Sequence, residues 1–439
     1  MTYIKNKNNF LNLKFIKYQT ILVCLLPLLL ITGPAIPDIL ITILSISYLV
    51  YLIVNNKIFN LFVDKKIFKY LIFFYFFIIF SSLFSSDILL SLKFSLPYLR
   101  LILFSFLISF LIKNNSNKFY SFFFLTCSLA ISLLFVDTIF QFFNGKNIFG
   151  FQTIDSQNRI SSFFRKMILG SYVLKILPMF LVSIFYLIKI KKYDYKFFIF
   201  FYFISAVIIF LSGDRAAVFL LGIFSLGILI SLKNYRKKIF ILFFTLFLLF
   251  LLLTVAHKRY YERYITRTLN EIGLGIDKDY NKKKVVFSDL EFYNKKIFFF
   301  SSTHHNYFIT AINIFKDNIY IGAGPKSYGW LSCLKQYQLD RFSCVTHPHN
   351  FYIQLLAETG IIGFGLVLFA FFYFIKYLYV IVLSNKKKYE LSKDGLIISL
   401  IGMITHLWPL TTNGSFFTNY NCILIFFCLG FFLGEKKII

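Results

Sequence analysis

Acidic residues are scarce in this chain. Its 439 residues hold 19 Asp and Glu against 47 Lys and Arg, a formal net charge of +28. That balance alone would suggest nucleic acid, but the placement of the charges excludes it. Lys and Arg cluster in short loops between apolar runs, the positive-inside pattern of a membrane protein. A general bias toward Asn, Lys, Ile and Phe also means that the lysine count by itself carries little information. No small-residue cleavage site follows the first apolar run, and apolar runs continue to the C-terminal end, so that run is not read as a cleaved signal. No internal repeat is visible, and no low-complexity linker sets off a second domain. Metal-ligand patterns are missing too. The pair His347-Pro348-His349 has no partner cysteines or helical histidine pair to complete a tetrahedral site, although His304 and His305 share its side of the membrane. No cofactor or metal is expected.

What the chain has is apolar length. It is 58% hydrophobic and 21% aromatic, with a mean hydropathy of +0.72. A soluble protein of this size cannot bury that much apolar surface. Runs of about 17–25 apolar residues, each able to cross ~30 Å of hydrocarbon as a helix, recur throughout. The fold class is therefore all-α, a polytopic integral membrane protein. About twelve spans are read, near residues 20–32, 36–54, 67–83, 96–112, 119–143, 167–190, 197–212, 216–232, 239–256, 360–383, 396–411 and 420–434. With the N-terminus inside, the loops holding Lys57/Lys65/Lys66, Lys113/Lys118, Lys189/Lys191/Lys192, Lys233/Arg236/Lys237/Lys238 and Lys386/Lys387/Lys388 all fall inside, as does the tail with Lys436 and Lys437. The loops 85–95 and 412–419 on the opposite side are nearly uncharged. The same alternation divides the chain into helices 1–9 over residues 1–256, an external loop region over 257–349, and helices 10–12 over 350–439.

The external segment carries two of the six cysteines, Cys333 and Cys344, eleven apart. An oxidising compartment permits a disulfide there, worth ~2–4 kcal/mol on the chain-entropy model. Two free thiols are the alternative. Cys24, Cys127, Cys422 and Cys428 lie in spans and read as apolar filler.

Several polar groups stand out against the apolar background. Arg215, in "LSGDRAAVFLLG", sits between two spans on the external side, against the inside bias. It either pairs with Asp214, snorkels to headgroups, or serves a ligand, and Gly213 with the alanines lets a ligand approach closely. Arg159 and Arg165 form a second cationic cluster in the loop 144–166. In "HKRYYERYITRTL", Arg259, Arg263 and Arg267 are four apart, one basic stripe on a helix. A solvated face or anionic lipid would also accept such a stripe. Together these arginines form an external rim suited to phosphate, which guanidinium binds through two oxygens. On a helix counted from His349, Ile353, Leu356, Gly360 and Gly363 fall on one line, which places the histidine at the mouth of a packed helix with Asn350 at the same level and His347 just outside. Imidazole takes a proton near neutral pH. The lone Asp277-Lys-Asp279 reads as incidental. "GAGPKSYGW" at 322–330 lacks the context of a phosphate loop and reads as a tight turn that lines a site.

These residues resemble a family. His349-Asn350, nine residues, Gly360, two residues and Gly363 match the H-N-x9-G-x-x-G signature of bacterial O-antigen ligases. "RISSFF…LGSY", "LSGDRAA", the basic segment opening a long loop, and "IYIGAGPKSYGW" follow in that family's order. The resemblance implies an inner-membrane glycosyltransferase, inverting and metal-independent, with its site and long loop facing the periplasm. The donor would be a glycan on undecaprenyl pyrophosphate and the acceptor a sugar of lipid A-core. By the same resemblance His349 and Arg215 are catalytic. The second family arginine falls among Arg259, Arg263 and Arg267, with Arg263 favoured. Arg159, Arg259, Arg267, His347 and Asn350 are expected to bind substrate.

Three rivals remain open on sequence. An O-antigen polymerase and a glycan-to-protein ligase differ from the first reading only in acceptor. A transporter of polyprenyl-linked glycans needs charges along a midplane path. Asp137 lies well inside a span, with His406 and Arg100 nearer span ends, so transport ranks lower.

Overall fold

The computed structural model describes residues 2–57, 64–153, 159–271, 301–339, 341–384 and 393–438. Among them the regular structure is helical, apart from one antiparallel bridge between Lys146 and Gln152. Seven segments are long and apolar enough to cross a membrane: Asn12–Thr32, Ala35–Val54, Lys65–Leu83, Ile88–Asn144, Leu169–Lys189, Lys233–Ala256 and Phe351–Leu383. Two shorter apolar helices, Lys196–Leu211 and Arg215–Ser231, lie among them, and Lys393–His406 and Asn419–Ile438 complete the bundle. Seven rather than twelve segments are long and apolar enough, because some helices are short, Asn419–Ile438 has polar and charged ends, and one segment runs through a break.

That break is at Asn115, which has φ −155° and ψ 49° inside the helix Leu99–Asn144. The chain folds back there. Phe104 and Phe123 both pack on Phe427, with ring centroids 5.6 and 5.5 Å away, and nearer the break Ile112 meets Gly434 while Tyr120 donates to Glu435. The two arms therefore flank the helix Asn419–Ile438. Gly430 and Gly434 make this approach possible, since a Cβ there would stand 2.7 and 2.6 Å from Ile108 and Ile112 side-chain atoms. The helix Leu169–Lys189 forms the centre of the bundle. Its most apolar window is 83% buried, against 17% for Lys233–Ala256, which lies at the periphery.

The central helix also defines two ends. Its C-terminal end meets basic loops: Lys189 pairs with Asp394 at 3.5 Å, and Lys192 donates to Ser121 at 3.1 Å. At its N-terminal end, Gly170 packs against Ser212 and Asp214 of the turn that carries Arg215.

The bundle interior holds more charge than the sequence reading found. Lys175 and Glu358 are buried, as are Glu435, Asp137 and His406. Each has a partner. Lys175 donates to Asn421 Oδ1 at 2.7 Å, and the His406 ring lies 3.1 Å from the Lys175 carbonyl. Asp137 accepts from Ile148 N at 2.8 Å and Ser162 Oγ at 2.6 Å, and Gln141 Oε1 accepts from Ser161 N and Ser162 N. One turn of this helix thus fixes the loop that follows it.

A second break positions the histidines. The helix Phe351–Leu383 is interrupted at Gly360, where φ is 62° and ψ −167°. The turn 319–324 inserts at the opened backbone: Ala323 N and Gly324 N donate to the Ala357 and Glu358 carbonyls, and Ile361 N donates to Ile319 O at 2.8 Å. A Cβ on Gly360 would stand 2.4 Å from the Tyr320 carbonyl, and one on Gly322 would stand 2.2 Å from Thr359 N. The stripe expected to run from His349 to Gly363 is therefore not continuous. His349 itself lies outside the helix, and the partner of Gly360 is a turn rather than a neighbouring helix.

Candidate active site

Arg215, Arg263, Arg259 and Arg159 come from three separate stretches of chain and meet at one turn. The helix Lys196–Leu211 ends there, leaving carbonyls without helical partners. The helical segment 258–271 crosses this end and satisfies them. Tyr264 Oη donates to Phe210 O at 2.6 Å, Tyr260 Oη to Leu211 O at 3.1 Å, and Arg263 Nε to Gly213 O at 2.9 Å. Gly213 has φ 68°, and a Cβ on it would touch Arg159 and Arg263 at 3.7 and 3.8 Å. A small cavity here is lined by Arg159, Leu211, Gly213, Arg259, Tyr260 and Arg263.

Arg215 starts the next helix. Its neighbour Asp214 caps that helix by accepting from Ala217 N at 3.2 Å. Arg215 does not pair with Asp214; it reaches Glu271 at 2.5 Å and Thr268 at 3.1 Å. The basic stripe is not a simple α-helical one either, because residues Glu262–Thr266 form a π turn, which shifts the spacing of Arg259, Arg263 and Arg267 around the axis. Burial pushes Arg263 down to about 10, helped by Arg159 and Arg215, against a pull upward from Glu271. Burial also lowers Arg259. Arg159 Nε and Arg259 Nη2 are buried without a partner. An anion at the mouth of this pocket would meet donors already desolvated, the condition in which a guanidinium binds most strongly.

The histidines form a second group. His349 lies 4.1 Å from His347, 5.5 Å from His304 and 5.7 Å from Tyr307 between ring centroids. Among the described residues no arginine is hydrogen-bonded to His349. The segment 159–168 runs between the two groups: Arg159 Nη1 lies 3.0 Å from Met167 Sδ, and the charge of Lys166 acts on His347. His349 is held with φ 60°, a conformation uncommon for a residue with a side chain. The next residue explains how. Asn350 Oδ1 accepts from Tyr352 N and Ile353 N, capping the helix, and Asn350 Nδ2 donates to the Pro409 and Thr411 carbonyls at 2.8 and 3.0 Å. Asn413 N donates to His349 O at 2.7 Å. The Asn350 side chain is thus used within the chain, where sequence suggested a ligand.

Burial lowers the His349 pKa below its ordinary value. It also lowers His347, to about 3, with His349, Lys326 and Lys166 adding repulsion. His347 Nδ1 lies 2.9 Å from Thr346 Oγ1, while its buried Nε2 has no partner. The shifts favour the neutral form of both rings, which leaves His349 open to act as a base and makes His347 a poor one. The segment bearing His347 is tied down by the disulfide Cys333–Cys344 and by Ser332 Oγ, which bonds Val345 O at 3.0 Å. No group of three or more His, Cys, Asp or Glu among the described residues is spaced to hold a metal.

Beneath the histidines lies a buried network that the sequence reading missed. Gln354 Nε2 donates to Glu358 Oε2 and to Ser415 Oγ, both at 2.9 Å; Gln354 Oε1 accepts from Phe416 N at 2.8 Å; Lys326 Nζ donates to Ser415 Oγ at 3.0 Å. It ties the turn 324–328, the break at Gly360 and the loop 407–418 together. Glu358 in "LAETGIIG" was its visible signal, an acid at i+4 from Gln354 in an apolar run. Arg165 is exposed, 6.0 Å from the Phe151 ring. Asp277 and Asp279 lie outside the described residues.

No curated protein matches this chain. A family model described as O-antigen ligase matches residues 200–368, a stretch that contains Arg215, Arg259, Arg263, His304, His347, His349 and the Gly360 break. Three of the arginines at the Gly213 turn, the histidine turn and the Gly360 break thus fall within the stretch similar to the O-antigen ligase family, while Arg159 lies outside it.

Proposed function

We propose that the chain transfers a glycan from undecaprenyl pyrophosphate to a sugar hydroxyl of lipid A-core, at the periplasmic face of the bacterial inner membrane. The observation that carries this reading is the convergence of Arg159, Arg259 and Arg263 at Gly213, beside Arg215, with Arg159 Nε and Arg259 Nη2 buried without a partner. The pocket itself has room for about one water, so a diphosphate docks at its mouth, against these guanidinium groups. The acceptor oxygen attacks the anomeric carbon, and the bond from that carbon to the pyrophosphate oxygen breaks with inversion. His349 takes the hydroxyl proton, Arg215 and Arg263 stabilise the charge growing on the departing undecaprenyl pyrophosphate, and Arg159, Arg259 and Arg267 hold it. His347 orients the acceptor. We assign Asn350 a positioning role, because its amide is already used in holding the His349 turn. No metal is required in this scheme.

The bundle supports a count of twelve spans. Seven helices meet the length criterion, one of them folds back at Asn115, and four shorter or charge-tipped helices remain. With the N-terminus inside, the arginines, the histidines and residues 257–349 lie on the periplasmic side.

The test is a lipopolysaccharide gel from cells lacking the protein. Loss of all long-chain material, with lipid-linked polymer accumulating, supports ligation. Core carrying a single repeat would identify a polymerase, and unchanged banding would move the acceptor to another molecule such as a protein.

A further inference from the structure

Next to the arginine pocket lies an open cavity of about 400 Å³, lined by Asn144, Gly145, Lys146, Gln152, Thr153 and Arg259. Its lining is amide, hydroxyl, ammonium, guanidinium and glycine backbone. Among the described residues no carboxylate and no large apolar side chain contributes. Arg259 lines both spaces, so the two are neighbours.

The cavity wall is preformed. Thr153 N donates to Gly145 O at 3.1 Å and Asn147 N to Phe151 O at 2.9 Å, closing a tight hairpin. Asp137 holds that hairpin from below through Ile148 N, Gln141 Nε2 approaches Phe151 O at 3.4 Å, and Asn147 Nδ2 ties it to Ser162 O at 3.0 Å. An amide-rich wall of fixed shape suits the hydroxyls of a sugar. Two cations, with no carboxylate among the described residues of the lining, suit an anionic substituent on it.

We propose that this cavity is a glycan subsite, taking an acidic sugar of the donor immediately beyond the diphosphate. Lys146 and Arg259 bind the acid group; Asn144 and Gln152 bind hydroxyls. The inference rests on the arginine pocket holding the donor diphosphate, and its test separates the two ideas.

Binding is measured with the full chain in phosphatidylcholine nanodiscs, using two synthetic polyprenyl diphosphate donors, one glucosyl and one glucuronosyl. The glucuronosyl donor should bind about tenfold more tightly, the scale of one charge-assisted contact. Lys146→Gln should bring it down to the level of the glucosyl donor, and Lys146→Arg should keep the preference. Arg263→Ala should weaken both donors alike. If Arg263→Ala weakens both while wild type shows no preference, or while Lys146→Gln retains it, the glycan subsite is overturned and the diphosphate pocket stands. If Arg263→Ala changes neither donor, the diphosphate reading itself fails. If phosphatidylglycerol in the bilayer abolishes the preference, the cavity holds a lipid headgroup and the glycan assignment is wrong.

Discussion

His349 combines an unusual backbone with an ordinary need. Its φ of 60° aims the ring at His347, His304 and Tyr307 instead of along the helix, and burial lowers its pKa below 6.5. The sign for catalysis is direct. A base works when unprotonated, so a lowered pKa extends activity toward acid. At pH 6.5 an ordinary histidine would be half protonated, whereas His349 should be more neutral than charged. In kcat/KM against pH the acid limb should lie below 6.5, with activity at pH 6.5 above half of its plateau. His349→Gln should lower kcat roughly 10²–10⁴-fold, the usual share of a general base, and should remove the limb while the protein still inserts. A limb centred at or above 6.5 would contradict the assigned base. At this scale the sequence was informative about residue type but not about partners. Arg215 and His349 were legible because a charge beside apolar runs is costly. The Glu271 partner of Arg215 and the cap made by Asn350 depend on segments distant in sequence, which no spacing encodes.

At the scale of elements, the Gly360 break and the 319–324 turn form one interlocked unit. The H-N-x9-G-x-x-G spacing pointed to Gly360 but suggested a smooth glycine face. Periodicity cannot show that a glycine serves a positive φ, because the pattern on either side remains helical. Gly360→Ala would combine a strained φ of 62° with an approach to the Tyr320 carbonyl at 2.4 Å, a cost of roughly 3 kcal/mol or more. Gly365, with nothing within 4 Å, is the matched control. Thermal unfolding in detergent should show a clear fall in Tm for Gly360→Ala and little change for Gly365→Ala. The disulfide acts on the neighbouring element. Cys333 and Cys344 close the stretch that leads to His347, and the paired serine variant should lose ~2–4 kcal/mol of local stability. Hydrogen exchange should quicken across 333–347 and leave the helix Leu169–Lys189 unchanged. Uniform protection across both forms would show that the bond holds nothing.

For the whole molecule, the positive-inside rule and the contact pattern agree on which loops belong together. Loops with Lys65, Lys189, Lys192 and Lys436 were grouped by charge alone, and the ion pairs Lys436–Asp64 and Lys189–Asp394 sit among them. The Arg100–Asp38 pair, at 2.6 Å, joins two helices near the other face. Helix number was less legible. Short central helices such as Lys196–Leu211 are sealed by neighbours rather than by their own length, so hydropathy windows and a length criterion count them differently. Sidedness can be tested directly on single-cysteine reporters in a background without Cys24, Cys127, Cys422 and Cys428, leaving the disulfide intact. A membrane-impermeant maleimide applied to whole cells should label Asn144→Cys and Leu410→Cys, both at exposed positions. Lys57→Cys and Lys192→Cys should label only after lysis. Three of the positions lie on loops that the alternation assigns to opposite faces, and Leu410 follows the end of the helix Lys393–His406, so an error of one span between any pair would invert one result. If Leu410→Cys labelled only after lysis, the loop that grips His349 through Asn413 would face the cytosol. The imidazoles would then be unable to reach a periplasmic donor, whatever the chemistry of the arginine pocket.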